Sequence, residues 1–303
     1  MPTDPPLSGS LFIATGEDGF RAFSTDGRTW THRQTAKEGE VLRAAAFGAG
    51  RCVVAGRFGG KDQFYATADG VRWEPSEHDA KYSNYVRNIV FFNHRFFAVA
   101  GESAGGGKPF MLASTDGVHW DPPRQISDEK EQRVNTLLRR FAIGNDLLIA
   151  VGDYGRKSAT ADGVAWKTAA GVKPADSLID IAFGNGIFAG GGMHGLRMRS
   201  VDGLTWTDRV SGEEGEHINS MIFDGKQFVG IGQGATYLSA DGQTWKRVPN
   251  QDAPTVAAFG AGVYVGALWQ GRLMRSTDGV RWEETTRLPQ NVEALAFGTL
   301  GKI

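Results

Sequence analysis

The chain of 303 residues has a single cysteine, Cys52. One thiol cannot make an intramolecular disulfide, so the fold does not rest on a disulfide framework. Cys52 lies in the strand-like run Arg51-Cys52-Val53-Val54-Ala55, where a buried, inert thiol is expected rather than a nucleophile. Excess charge is also absent: 33 Lys and Arg stand against 34 Asp and Glu. A general nucleic-acid or anionic-membrane binder needs a positive field, so neither class fits. No stretch approaches the ~20 apolar residues of a membrane helix. The start, MPTDPPLSGS, has no basic segment followed by an apolar one, so no signal peptide is visible. The sequence as written therefore predicts a cytoplasmic protein. An exported protein whose leader has been removed would read the same way.

The common catalytic signatures are missing too. The six histidines (His32, His78, His94, His119, His194 and His217) show no metal-ligand spacing such as His-Glu-x-x-His. Solvated loop or turn histidines are the expected state, and no metal or cofactor is expected. Gly105-Gly106-Gly107-Lys108 lacks the following Ser/Thr and the strand-to-helix context of a phosphate loop, so it reads as a turn. No calcium-loop pattern occurs.

What is abundant is glycine, 42 residues, together with eight tryptophans. Many glycines with many aromatics suit an all-β chain with frequent tight turns. Seven of the tryptophans end one repeated motif: Ser/Thr, any residue, Asp, Gly, two residues, Trp. It reads STDGRTW at 24–30, TADGVRW at 67–73, STDGVHW at 114–120 and TADGVAW at 160–166. It continues as SVDGLTW at 200–206, SADGQTW at 239–245 and STDGVRW at 276–282. The tryptophans recur every 37 to 47 residues, the length of a four-stranded propeller blade.

Upstream of the motif each repeat carries an apolar run, a Gly/Asn/Asp turn and a second apolar run. LRAAAFGAGRCVVAG (42–56) and INSMIFDGKQFVGIG (218–232) are examples. This is a β-hairpin signature. The first run is expected to be strand A beside the axis and the second strand B. Strand C leads into the Asp-Gly turn, and the Trp begins strand D. Asp-Gly suits a tight hairpin in which both central residues take positive φ. The Trp is expected to pack between blades.

The first motif is preceded by LFIATG (11–16) and FRAFS (20–24) only, so its strand A is missing. The last is followed by VEALAFG (292–298), which matches strand A elsewhere. The sequence thus predicts an all-β, seven-bladed β-propeller of four-stranded antiparallel blades, closed by the C-terminal strand completing the N-terminal blade. Residues 1–10 are expected to be a disordered tail, and 11–303 a single domain.

The motif resembles the Asp-box, or BNR, repeat of sialidase-like propellers and covers all seven repeats. Here Asp and Gly are adjacent, one residue closer than in the usual box. The resemblance implies a propeller whose boxes are structural and peripheral. Its relatives include sialidases, other glycosidases, sorting receptors and photosystem II assembly factors. A sialidase would also require a Phe/Tyr-Arg-Ile-Pro segment, which does not occur. The assembly-factor type implies partner binding through an arginine-bearing surface without catalysis.

Two positions per blade are expected at the channel mouth. The start of strand A holds Arg43, Arg87, Arg139, Ile179, Asn219, Thr255 and Glu293. The end of strand B holds Glu17, Arg57, Glu102, Asp153, Met193, Gln233 and Trp269. Arginine's planar fork suits carboxylate or phosphate recognition, so Arg43, Arg57, Arg87 and Arg139 form a candidate anion site, with Trp269 a stacking platform opposite. The competing reading is a salt-bridged ring of these arginines with Glu17, Glu102, Asp153 and Glu293. Glu102, Asp153 and the adjacent Tyr154 are the residues a glycosidase would use. The long connections at 74–87 and 121–134 make an asymmetric rim, read either as a partner surface or as a tolerated insertion.

The expected function is a non-enzymatic scaffold that binds a protein partner or acidic ligand at the loop-bearing mouth. The alternative is a carbohydrate-active enzyme or lectin using the same mouth. No helical seam or long exposed apolar run is evident, so a monomer is expected.

Overall fold

The computed structural model describes residues 4–76, 86–103, 106–126 and 138–301, with the side chains of 102–103 and 106–108 outside that description. Seven four-stranded antiparallel sheets stand in a ring. Only two short 3-10 turns, Asp153–Gly155 and Pro174–Asp176, interrupt the strands among the described residues. From blade 1 to blade 7 the A strands are Val292–Leu300, Val41–Gly48, Asn88–Phe92, Leu138–Gly144, Leu178–Gly184, His217–Phe223 and Val256–Gly260. Each A strand neighbours the next around the axis. B strands such as Arg51–Phe58 and Phe228–Gln233 are buried along nearly their whole length. Both faces of a blade are covered by its neighbours, which is why these runs are continuously apolar rather than alternating. The outer D strands, such as Thr207–Val210 and Lys246–Pro249, are short and polar, which blunts an open sheet edge.

Apolar side chains gather into seven clusters, one at each blade interface. The motif tryptophan of every blade packs into the cluster shared with the preceding blade. Trp30 joins Val263 and Val265 of blade 7, and Trp120 stacks 4.4 Å from Phe64 of blade 2. The motif itself is a side-chain-built turn. In all seven copies the Ser/Thr hydroxyl accepts the Gly N–H at 2.8–3.0 Å. The Asp Oδ1 accepts the N–H groups two and three residues on at 2.7–2.9 Å.

The turn differs from the expected hairpin in one respect. Only the Gly takes positive φ, between 68° and 77°, and the Asp does not. The Asp side chain, not a left-handed Asp backbone, directs the chain into the tryptophan. Glycine is needed for packing as well as for φ. A Cβ on Gly203 would lie 2.2 Å from Ile149 Cδ1, and one on Gly117 would lie 2.2 Å from Val53 Cγ2, both on the preceding blade.

A second glycine series acts at the other end of the channel. Phe91, Phe183, Phe223, Phe297 and Phe47 lie so close over Gly48, Gly144, Gly184, Gly260 and Gly298 that a Cβ there would fall 2.0–2.3 Å from the ring or its Cβ. Each phenylalanine belongs to the blade after its glycine, so the inner strands interlock around the axis. In blade 6 Asp224 replaces this glycine and accepts the Tyr264 hydroxyl of blade 7 at 2.5 Å.

Buried cations supplement the apolar seams in three places. Arg21 stands 4.7 Å from the Tyr65 ring and 4.8 Å from the Trp73 ring of the next blade. Arg197 stands 3.9 Å from Tyr237, and Lys157 5.6 Å from Trp206. Each cation lies three residues before the motif Ser/Thr, and an acid one or two residues before the next A strand (Glu40, Glu216 or Asp176) accompanies it. The Tyr65 hydroxyl donates to Glu40 at 2.7 Å, and the Tyr237 hydroxyl donates to Glu216. The ring face stabilises a guanidinium that has few hydrogen-bond acceptors.

Closure follows the expectation. Val292–Leu300 pairs antiparallel with Gly9–Gly16, from Gly9↔Leu300 to Gly16↔Val292. The expected disordered tail gives way over residues 4–10. Gly9 and Ser10 are already in the closing ladder, the Leu7 N–H donates to the Asp69 carbonyl at 2.7 Å, and Leu7 packs in the seam of blades 1 and 2. His32 Nε2 lies 2.7 Å from the Pro5 carbonyl oxygen, which ties down the same segment. Residues 1–3 lie outside the described residues.

Two outcomes test this architecture. Truncation after Gln290 removes the closing ladder. A loss of about 5 kcal/mol in a domain of this size moves Tm down by about 8 °C, and a scanning calorimetry trace identical to the full chain's would show that closure carries no stability. The motif aspartates give the second. All seven are held below the usual carboxylate range. The backbone N–H of Thr244, then that of Gln243, holds Asp241 at about 2. For Asp278 burial pushes upward but is outweighed by the N–H groups of Arg281 and Val280, leaving it at about 2. A folded value below the unfolded one contributes stability that is complete above about pH 4 and lost as pH falls toward about 2. Urea midpoints should fall steeply across that window, and Asp241→Asn/Asp278→Asn should flatten the fall; an unflattened curve would assign acid lability elsewhere.

Candidate functional site

The loops joining B to C and D to A open on one end of the ring. What aims side chains there is an irregularity at the start of strand A. In five blades the register shifts by one residue, with Arg43, Arg139, Ile179, Asn219 and Glu293 as the extra residues. In blades 3 and 7 the N–H groups of Arg87 and Thr255 donate to the carbonyls of Val99 and Ala267, the residues that Asn88 and Val256 already face. Every blade therefore sets two residues against one at this point, a bulge that re-aims side chains. Two rows result. The first is the predicted one, Arg43 to Glu293. The second, one residue on, is Ala44, Asn88, Arg140, Asp180, Ser220, Val256 and Ala294. The second row, with Arg43, Asn219 and Glu293 of the first, lines a narrow axial cavity of about 170 Å³.

The second row, absent from the sequence-based site, bonds the blades together. Asn88 Oδ1 accepts the Phe141 N–H at 3.0 Å. Asp180 Oδ2 accepts the Met221 N–H at 2.8 Å, and Ser220 Oγ accepts the Ala257 N–H at 3.1 Å. Each bond reaches from one inner strand to the next. Arg140 has no acceptor to offer and works backwards, its Nη1 donating to the Arg87 carbonyl at 2.8 Å and the Arg139 carbonyl at 3.1 Å. Its Nε stands 3.8 Å from Asp180 Oδ1. Burial pushes the Asp180 carboxyl up, while the Arg140 charge and the Met221 N–H oppose that. The signal was in the sequence: a polar residue recurs three positions before the repeated Phe or Ile in blades 3 to 6.

The predicted residues divide. Arg43 and Arg57 come together, lining one shallow hollow of about 260 Å³ with Gly39, Val41, Gly59 and Gly60. Arg43 Nε is 3.9 Å from Glu293 Oε2, a long contact across to blade 1. Arg57 makes no ion pair among the described residues. Arg87 is half-buried, and its carbonyl is the acceptor for Arg140. Arg139 donates from Nε to Asp153 Oδ1 at 2.6 Å within blade 4. At this partly exposed position the pair contributes about 0–1 kcal/mol.

The salt-bridged arrangement is thus present for Arg139 with Asp153 and, at longer range, for Arg43 with Glu293. It does not extend to Glu17, whose carboxylate accepts the backbone and side-chain N–H groups of Asn291, both at 3.2 Å. Tyr154, next to Asp153, is 51% exposed at φ 54° in the 3-10 turn. Trp269 is 68% exposed, the most exposed large apolar side chain among the described residues. It stands at the mouth with Arg140 and Glu293. The backbone of Glu102 is in the strand Arg95–Ser103, and its side chain lies outside the described residues. Most of the two long connections, 77–85 and 127–137, lies outside them as well.

Groups of three or more His, Cys, Asp or Glu that could hold a metal ion are absent among the described residues. No helix there is long and apolar enough to cross a membrane. Asp180 offers a direct test of the inner ring. Replacing it by Ala leaves the Met221 N–H without its acceptor and Arg140 without its counter-charge, a loss of about 3 kcal/mol. Asp180→Asn keeps an acceptor and should lose less. Equal urea midpoints for wild type and Asp180→Ala would show that the inner strands do not depend on this link.

No protein-family model matches the chain, and no curated protein matches it. Solved structures do. A structure of YCF48 bound to D1 peptide is similar with a TM-score of 0.61 and 16% identity, over 95% of this chain and 94% of that one. YCF48 from Cyanidioschyzon merolae is similar with a TM-score of 0.58 and 18% identity, over 84% and 87%. A putative 6-phosphogluconolactonase from Bacteroides fragilis reaches a TM-score of 0.71 at 11% identity, over 96% and 98%. At these identities the likeness is one of fold: the chain is a seven-bladed, all-β propeller, a fold that hosts both peptide binders and enzymes.

Proposed function

We propose that this chain is a non-enzymatic propeller that binds an acidic segment of a protein partner at its loop-bearing mouth. The observation that carries the reading is the hollow shared by Arg43 and Arg57, with Arg57 making no ion pair among the described residues. A guanidinium at a shallow, water-accessible surface suits a carboxylate supplied by a partner. Arg87 and Arg139 extend the basic side over blades 3 and 4, and Trp269 stands on blade 7. The structural likeness to a propeller bound to a peptide supports the same reading.

Catalysis has less support. Asp153, one of the carboxylates a glycosidase would use, is held by Arg139. A glycan-binding reading is favoured by one observation, the exposed Trp269 ring at a polar mouth, since aromatic faces stack on apolar ligand faces.

A displayed library of random peptides separates the two. Selection on the wild type, with counter-selection on Arg43→Glu/Arg57→Glu of unchanged Tm, should yield Asp- and Glu-rich peptides. Their affinity should fall at least about tenfold on that variant, the loss of one charge-assisted hydrogen bond, and should weaken with salt. Peptides that bind both proteins equally, or no selectable peptide, would overturn the reading. Glycan binding lost in Trp269→Ala would then support the alternative.

A further inference from the structure

A second hollow opens at the channel mouth, reaching toward the Arg43 and Arg57 hollow through Glu293. It has a volume of about 210 Å³ and is lined by residues of blades 4, 7 and 1, among them Arg140, Leu268, Trp269 and Glu293. Sites for drug-sized ligands run to about 300–1,000 Å³, so this one accepts only something smaller. Its charges are of both signs. Arg140 and Glu293 line the same space yet do not form an ion pair with each other, although each has a polar attachment elsewhere.

Arg140 is fixed in place. Its Nη1 is held by two backbone carbonyls and its Nε faces Asp180, while its Nη2 makes no hydrogen bond among the described residues. Glu293 has its ion-pair contact with Arg43 at 3.9 Å, beyond hydrogen-bond length, and its carboxylate accepts no hydrogen bond among the described residues. Thr255, also on the wall, donates its hydroxyl to the Ala267 carbonyl and keeps its oxygen as an acceptor. Asn291 donates its backbone N–H and one Nδ2–H to Glu17 and accepts the Gly271 N–H on Oδ1, which fixes it as part of the wall. Beside these stand Leu268 and the 68%-exposed indole of Trp269.

An open guanidinium edge, an open carboxylate and an aromatic face in a space of this size make a complementary set for one chemical class. We propose that this hollow binds a free α-amino acid with an aromatic or large apolar side chain. The α-carboxylate meets Arg140, the α-ammonium meets Glu293 with Thr255, and the side chain stacks on Trp269. The site shares no lining residue with the arginine hollow proposed above for an acidic peptide, and its ligand is of a different class, so either can fail while the other stands.

The discriminating power comes from the two charges. A ligand that lacks one of them leaves the corresponding protein charge without its partner. A charge-assisted hydrogen bond is worth about tenfold or more in affinity.

The test is calorimetric titration of the full-length protein with L-phenylalanine, phenylacetate (no ammonium) and phenethylamine (no carboxylate). Wild type is expected to bind L-phenylalanine saturably, with each truncated ligand at least about tenfold weaker. Trp269→Ala, at a solvent-exposed position, should weaken L-phenylalanine about tenfold without a change in Tm. Glu293→Gln should weaken L-phenylalanine and phenethylamine while leaving phenylacetate unchanged. No saturable heat at millimolar L-phenylalanine would overturn the proposal. So would equal affinity for all three ligands, or a Trp269→Ala protein that binds as wild type does.

Discussion

The ladder between Gly9–Gly16 and Val292–Leu300 joins the two ends of the chain in one sheet, and the ring exists because of it. Every other interface is a contact between successive repeats, which a linear stack would also make. Closure alone requires the seventh blade to meet the first, and so fixes the curvature that all seven interfaces must share. Trp30 and Gly27 of blade 1 pack on Val265 of blade 7 only once that circle is complete. A closed ring also leaves no free lateral blade face, the apolar hazard of an open repeat array.

Curvature is enforced by close approach rather than by apolar area alone. Side chains rest on glycines of the neighbouring blade at two radii: the motif glycine outside in every blade, and Phe-on-Gly contacts inside at five interfaces. Both series tolerate no Cβ, so the spacing between blades is set within tenths of an ångström. The buried Arg21, Lys157 and Arg197 act in the same seams by a different force, ring quadrupole against cation. Among the described residues they occur in blades 1, 4 and 5, so the repeat is regular in geometry but not in chemistry.

The mouth inherits its asymmetry from that irregular chemistry. A bulge in every blade presents the same two side-chain positions, and what stands there changes around the ring. Arginine dominates blades 2 to 4, Asp180 stands in blade 5, the residues of blades 6 and 7 are uncharged, and blade 1 carries Glu293. One frame thus carries a basic arc, a bipolar hollow by Trp269 and an inner belt of strand-to-strand hydrogen bonds, without any change of backbone.

By itself the sequence determined the blade count, the strand order within each blade and the route of closure. Seven Asp-Gly-x-x-Trp motifs at blade spacing and an orphan A strand at the C-terminus admit one circular arrangement, because each unit must bury both of its faces. It also located the first row of mouth residues. The tertiary structure alone decided which of those residues meet. Arg139 turns to Asp153 in its own blade, Glu17 turns to Asn291, and Arg43 shares a hollow with Arg57. It also decided that the bulge exposes a second row, so that Arg140 and Asp180 reach the axis. A local pattern with period two assigns alternate residues to opposite faces, and a bulge breaks that alternation at the point where the site is built. The order of residues 4–10 was hidden for a similar reason: the seam that Leu7 fills exists only after blades 1 and 2 have packed.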